Sequence, residues 1–189
     1  MSENKKLRLL VTTDCNNKCP LCCNNNWDFS KLPIVSRFNY EEIMITGGEP
    51  LLHVCEVYHL IYRIREIQRY LGVSPKFYIY TSLPTIGIYC YSKILFAVDG
   101  ITVTPHNKEA VDTFVALNKY LRGLYRTKGV KTKGYFPSLR LNLFPDVKKL
   151  LLKRINLSLW KIKDMEWIKD CPVPEGEDFR RISTLFNKE

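Results

Sequence analysis

The sequence predicts an α/β fold in which six parallel strands form an open, partial barrel. Three observations predict it. Short apolar runs with strand character recur along the chain, most end in polar or Gly-containing turns, and several are followed by helical periodicity. Strands alternating with helices pair in parallel through right-handed crossovers. A chain of 189 residues is short for a closed eight-fold barrel, so six units curl only part of the way round.

The first strand covers residues 6–13 and ends at a cluster of cysteines. The second, residues 42–46, ends at Gly47-Gly48-Glu49-Pro50. A helix follows, because Val57, Leu60, Ile61, Ile64, Ile67 and Leu71 recur at three-and-four spacing, and Gly72 is placed to stop it. The third strand, residues 76–81, leads through Pro84 and Gly87 to a helix that can only be short. The fourth, residues 100–104, precedes a helix at 108–126 whose inward stripe is Val111, Phe114, Val115, Leu121 and Leu124. The fifth, residues 138–143, precedes a helix opened by Pro145 and Asp146, with Val147, Leu150 and Leu151 facing in. The sixth covers residues 156–162. One crossover differs: between Cys23 and Glu42, Pro33 and an Asn-rich start predict a loop with at most one helical turn. Residues 1–165 form the barrel on this reading. Residues 166–189 are a tail packed on it, with Phe179, Ile182, Leu185 and Phe186 in a final amphipathic turn.

Composition bounds the setting. Hydrophobic residues make up 46% and charged residues 25%, enough to build a core and too ordered a mixture for a disordered chain. No apolar run approaches the length of a membrane span, and the first residues lack the pattern of an export signal. Seven cysteines, four of them crowded at Cys15, Cys19, Cys22 and Cys23, do not make a disulfide framework. Thiols that must stay reduced imply a metal or redox site and a cytoplasmic location. The net charge of +10 is uneven: residues 119–163 hold 13 Lys or Arg against one acid, Asp146, so this stretch carries +12 and the remainder nets −2. An anionic small-molecule or nucleotide-like substrate is the implied partner, with Lys131 and Lys133 as candidate phosphate contacts and a solvated basic surface as the alternative.

The cysteine spacing carries the chemistry. Cys15, Cys19 and Cys22 stand as C-x3-C-x2-C at the end of strand one, where α/β folds put their sites. Three thiolates on one loop can hold an iron–sulfur cubane and leave its fourth iron open. Cys171 stands alone, so a second cluster has no ligand set in the tail.

This loop, followed by Thr46-Gly47-Gly48-Glu49-Pro50-Leu51 at the end of strand two, resembles the radical S-adenosylmethionine (SAM) superfamily, whose fold is TIM-like. The resemblance implies that Cys15, Cys19 and Cys22 hold a 4Fe–4S cluster and that SAM chelates the remaining iron. It further implies that Gly47, Gly48 and Glu49 meet the methionine ammonium, with Pro50 in the same turn. One electron, from a donor such as flavodoxin or ferredoxin, would then cleave SAM to methionine and a 5′-deoxyadenosyl radical, which takes hydrogen from the substrate. Thr81, Ser82 and Thr104, at the ends of strands three and four, join the cofactor-binding set, a strand-end hydrogen bond being the alternative. Leu21 departs from the family, which usually has an aromatic residue there. His106 is a loop residue or a minor participant, and Asn142 points into the barrel or is a satisfied core amide.

Two other readings stay open. Lys18-Cys19-Pro20-x-Cys22-x-Asn24, with Trp27 beyond, is similar to activases that install a glycyl radical on a partner protein, although the Asp-x-Lys those proteins carry on strand four is missing at Asp99-Gly100-Ile101. The third is a zinc-stabilised, basic nucleic-acid-binding module with Cys23, Cys55 or His53 completing a four-ligand site. It leaves Gly-Gly-Glu-Pro unexplained.

Overall fold

A computed structural model describes residues 5–19, 21–128, 137–152, 155–168 and 173–187. Lys131, Lys133 and Cys171 lie outside them, as does the side chain of Cys23. The elements run β1 (Lys6–Thr12), β2 (Glu42–Gly47), α1 (Val54–Tyr70), β3 (Lys76–Thr81), α2 (Ile88–Ala97), β4 (Gly100–Val103), α3 (Lys108–Lys128), β5 (Ser138–Leu143), α4 (Pro145–Leu152), β6 (Lys161–Asp164) and β7 (Glu177–Arg181). The strands form one open, all-parallel sheet in the order β6-β5-β4-β3-β2-β1-β7.

From β1 to β6 the spatial order never reverses. Right-handed crossovers in an unreversed sheet bring every helix to the same face. Burial agrees with that. Leu7, Leu9, Ile43, Ile45, Phe77, Ile79, Ile101, Val103, Leu139 and Leu141, one residue in two along each strand, are sealed in a single core with Val57 and Ile61 of α1, Tyr91 and Ile94 of α2, Phe114 and Leu117 of α3 and Leu151 of α4. Consecutive helices touch along that face. The alternate residues, among them Arg8, Tyr78, Tyr80, Arg140 and Asn142, occupy the face without helices.

Four expectations are corrected. The tail does not end as an amphipathic turn: β7 adds a strand parallel to β1, and Phe186 N–H then donates to the Val11 carbonyl at 2.8 Å. Its sequence is mostly charged, but the open edge of β1 supplies backbone partners that require no apolar side chain. The sixth strand begins at Lys161 rather than 156, because the Asn156 side chain accepts from Ser158 N–H at 2.9 Å and folds residues 156–160 into a turn. The loop between β1 and β2 has two 3-10 turns, Cys23–Asn26 and Phe29–Lys31, rather than at most one turn. In α1 the buried positions are Val57, Ile61, Ile64 and Gln68, while Ile67 and Leu71 are exposed. Among the described residues no helix is long and apolar enough to cross a membrane.

The α1 orientation is testable in stability. Ile61→Ala should cost about 2–5 kcal/mol, since it opens a cavity in a sealed core. Ile67→Ala, on the exposed side of the same helix, should stay within about 0.5 kcal/mol. Urea unfolding of both variants reads the difference, and equal losses would refute the helix orientation.

Candidate functional site

The carboxyl ends of β1 to β5 surround a cavity of about 310 Å³. Cys15, Cys19 and Cys22 line it, together with Gly47, Gly48, Glu49, Thr81, Ser82 and Thr104. The cluster- and SAM-binding set expected from the sequence has ten residues, and these nine meet at one cavity. The tenth, Pro50, is buried at the start of a 3-10 turn and does not line it.

The loop after β1 and the turn after β2 are fastened to each other by backbone. Gly48 N–H donates to the Thr12 carbonyl at 2.8 Å and Glu49 N–H to the Asp14 carbonyl at 2.6 Å. This crossing explains the glycine pair. A Cβ on Gly48 would overlap the Asp14 carbonyl, and one on Gly47, whose φ is +144°, would overlap the Thr12 carbonyl. Asn24, just beyond the cysteines, donates from Nδ2 to the Gly47 carbonyl at 3.1 Å. His53 Nε2 meets Asp14 Oδ2 at 3.0 Å and ties the following turn to the same loop.

Glu49 is almost wholly buried, and its carboxylate accepts four hydrogen bonds from its own chain. Oε1 receives Leu51 N–H at 3.0 Å and Thr81 Oγ1 at 2.8 Å; Oε2 receives Ser82 N–H at 2.7 Å and Ser82 Oγ at 2.6 Å. Burial pushes its pKa above the ordinary carboxylate value, and the four donors oppose that push. Ser82 Oγ also receives Asn17 Nδ2 at 2.6 Å, and Asn17 Oδ1 receives Asn107 Nδ2 at 2.8 Å. Asn107 in turn caps α3 by accepting Ala110 N–H at 2.8 Å. Thr104 N–H donates to the Thr81 carbonyl at 2.8 Å and its hydroxyl accepts from Asn142 at 3.2 Å.

The three thiols are free and feel one another. Burial pushes the Cys19 thiol up to about 11, with Cys22 and Cys15 adding to the rise. Burial likewise raises Cys15, opposed by the Asn17 N–H and reinforced by Glu49 and Cys22. Cys55 and Cys90 sit on α1 and α2. Among the described residues no three His, Cys, Asp or Glu side chains converge on a point for a single metal ion.

Sequence reasoning marked His106 at the rim but missed Phe144 and Trp167, which complete the far wall of the cavity. Phe144 and Trp167 stack at 4.0 Å between centroids, and His106 packs on both at 5.5 and 5.4 Å. Burial lowers the His106 pKa, favouring the neutral ring. Trp167 gives no local signal, because it follows a short strand in a polar segment. Asn17 and Asn107 were also missed; only their position in the cysteine loop and before α3 could have marked them. On the opposite side Trp27 meets Phe179 of β7 edge to face at 5.1 Å.

No protein-family model and no curated protein matches the chain.

The Glu49 bracket predicts a specific loss. Glu49→Gln sets an amide N–H₂ against donors that need an acceptor, and should lower stability by about 1–3 kcal/mol for each bond left unmade. Thermal melts of the full chain measure it; an unchanged melting temperature would refute the bracket.

Proposed function

We propose that the chain is a radical SAM enzyme, a partial TIM-like (β/α)6 barrel extended by β7, acting on an anionic, nucleotide-like substrate. One observation carries this reading: three thiols from the β1 loop share a cavity with the backbone of Gly47 and Gly48 at the carboxyl ends of the strands. The donor set fits a 4Fe–4S cluster. Thiolates are its ligands, each of Cys15, Cys19 and Cys22 would hold a different iron, and three sulfurs so used need not converge on one point. The fourth iron is then left for the amino and carboxylate groups of SAM. When bound, cluster and SAM supply one-electron cleavage of the sulfonium carbon–sulfur bond, with an electron from a donor such as flavodoxin or ferredoxin, and so a 5′-deoxyadenosyl radical to take hydrogen from the substrate.

The chain's own residues hold and shield. Gly47 and Gly48 leave bare backbone on the cavity wall, and Asn24 fixes the Gly47 carbonyl. Glu49 has its four acceptor directions filled from within, so we assign it the holding of this turn, its charge still lying beside the site. Thr81 and Ser82 are the partners through which it does so. Thr104 and Asn142 present a hydroxyl and an amide to the cavity. Phe144, Trp167 and His106 form a wall that excludes water from a reactive radical. Free thiols and an oxygen-sensitive cluster belong in the reducing cytoplasm.

Anaerobic reconstitution should give a brown protein with about four irons per chain, and dithionite with SAM should yield 5′-deoxyadenosine. Cys15→Ala, Cys19→Ala or Cys22→Ala should abolish the cluster, whereas Cys55→Ala and Cys90→Ala should keep it. A bound tetrahedral zinc, or SAM left intact after reduction, would overturn the reading.

A further inference from the structure

The face of the sheet without helices continues beyond the cavity as a stripe of cations and aromatic rings. Register sets Tyr80 of β3 level with Thr102 of β4, Arg140 of β5 and Lys161 of β6, with Lys163 one step above and Tyr78 one step below. Arg8 of β1 lies on the same face. Its guanidinium lies over the Tyr80 ring at 5.6 Å from the centroid, and that of Arg140 lies over the Tyr78 ring at 5.6 Å. Arg8 donates through Nε to Glu177 at 2.7 Å. Arg140, Lys161 and Lys163 are exposed and have no ion-pair partner among the described residues. Arg8 and Tyr80 also line the cavity, so the stripe starts inside it. From β1 to β5 it crosses four strand spacings, on the order of 20 Å along the sheet.

We propose that this stripe binds the backbone of a single-stranded nucleic acid and presents one of its nucleotides to the cavity. Arg140, Lys161 and Lys163 stand together on the adjacent strands β5 and β6, about 5–7 Å apart along the backbone, close enough to meet neighbouring phosphates, and the Tyr78 and Tyr80 rings on β3 give bases a surface on which to stack. Arg8 and Tyr80 belong to both the stripe and the cavity lining, so a strand lying on the stripe would bring an unstacked nucleotide to the cavity mouth. As an account of the substrate the proposal rests on the radical SAM reading. As a binding surface it stands on the sheet geometry alone.

The test is fluorescence anisotropy of a labelled single-stranded oligothymidylate of about ten nucleotides, using the full chain as purified, before any cluster is reconstituted. Binding should weaken steeply between about 50 and 200 mM salt. Lys161→Ala/Lys163→Ala should weaken it roughly tenfold and flatten the slope of log affinity against log salt by about 1.4. Tyr78→Ala should lose about five- to a hundredfold with the slope unchanged. Lys119→Ala/Arg126→Ala, exposed on α3 on the opposite face, should change little. No binding, equal loss from the α3 pair, or equally tight binding of blunt duplex would each overturn the proposal. Because the measurement precedes reconstitution, a chain that binds but never cleaves SAM refutes only the enzymatic reading. One that cleaves SAM but does not bind refutes only this surface.

Discussion

A carboxylate removed from water costs several kcal/mol unless donors replace its hydration, and the rim of this cavity is organised by that requirement at Glu49. Among the described residues no cation pairs with it; two backbone N–H groups and two hydroxyls take that place. Those donors come from the turn after β2 and the end of β3, so satisfying Glu49 holds the two strand ends in one arrangement. Ser82 passes the constraint to Asn17 in the cysteine loop, and Asn17 passes it to Asn107 at the start of α3. Four segments far apart in sequence are thereby fixed by one chain of hydrogen bonds. Such a network is worth most when every member is satisfied, and each member named here has its partner.

The same rim shows why glycine occupies both 47 and 48. The turn after β2 passes so close over the end of β1 that the carbonyls of Thr12 and Asp14 fill the space a Cβ would need. The glycines therefore serve two ends with one geometry: they let the loops cross, and they leave unadorned backbone facing the cavity. A larger residue would separate the cysteine loop from its anchor before it touched any ligand. Stability of the loop and access to the backbone thus have a common cause.

What was legible in the sequence was what depends on short-range pattern. Alternation in residues such as Leu7, Leu9, Ile43, Ile45, Phe77 and Ile79 marked the strands, because each is buried against helices on one face only. The cysteine spacing and the Gly-Gly-Glu-Pro turn marked the two segments that meet at the cavity. What escaped depends on tertiary contact. Glu177-Asp178-Phe179-Arg180-Arg181 has no apolar alternation and becomes a strand only because β1 offers an unpaired edge. Gln68 is buried in place of Ile67 because α1 is turned by the neighbours it packs on. Trp167 reaches Phe144 from a segment with no period of its own.

The two flanks of the open face are unlike, and the difference bears on what approaches it. At the β1 flank, β7 covers the edge, Glu177 engages Arg8 and Phe179 meets Trp27, so that side of the cavity has a wall. At the β6 flank the strand is exposed along its whole length. Lysines on an edge strand hinder pairing with another sheet, and Lys161 and Lys163 have that use whatever else they do. Arg140 does not share it, because β5 is paired on both sides and has no edge to protect. An exposed guanidinium laid over Tyr78 on an interior strand, without an ion-pair partner among the described residues, keeps its donors turned to solvent. The unwalled flank beside Arg140 leaves its guanidinium open to anions in solution, whereas the β1 flank is closed by β7.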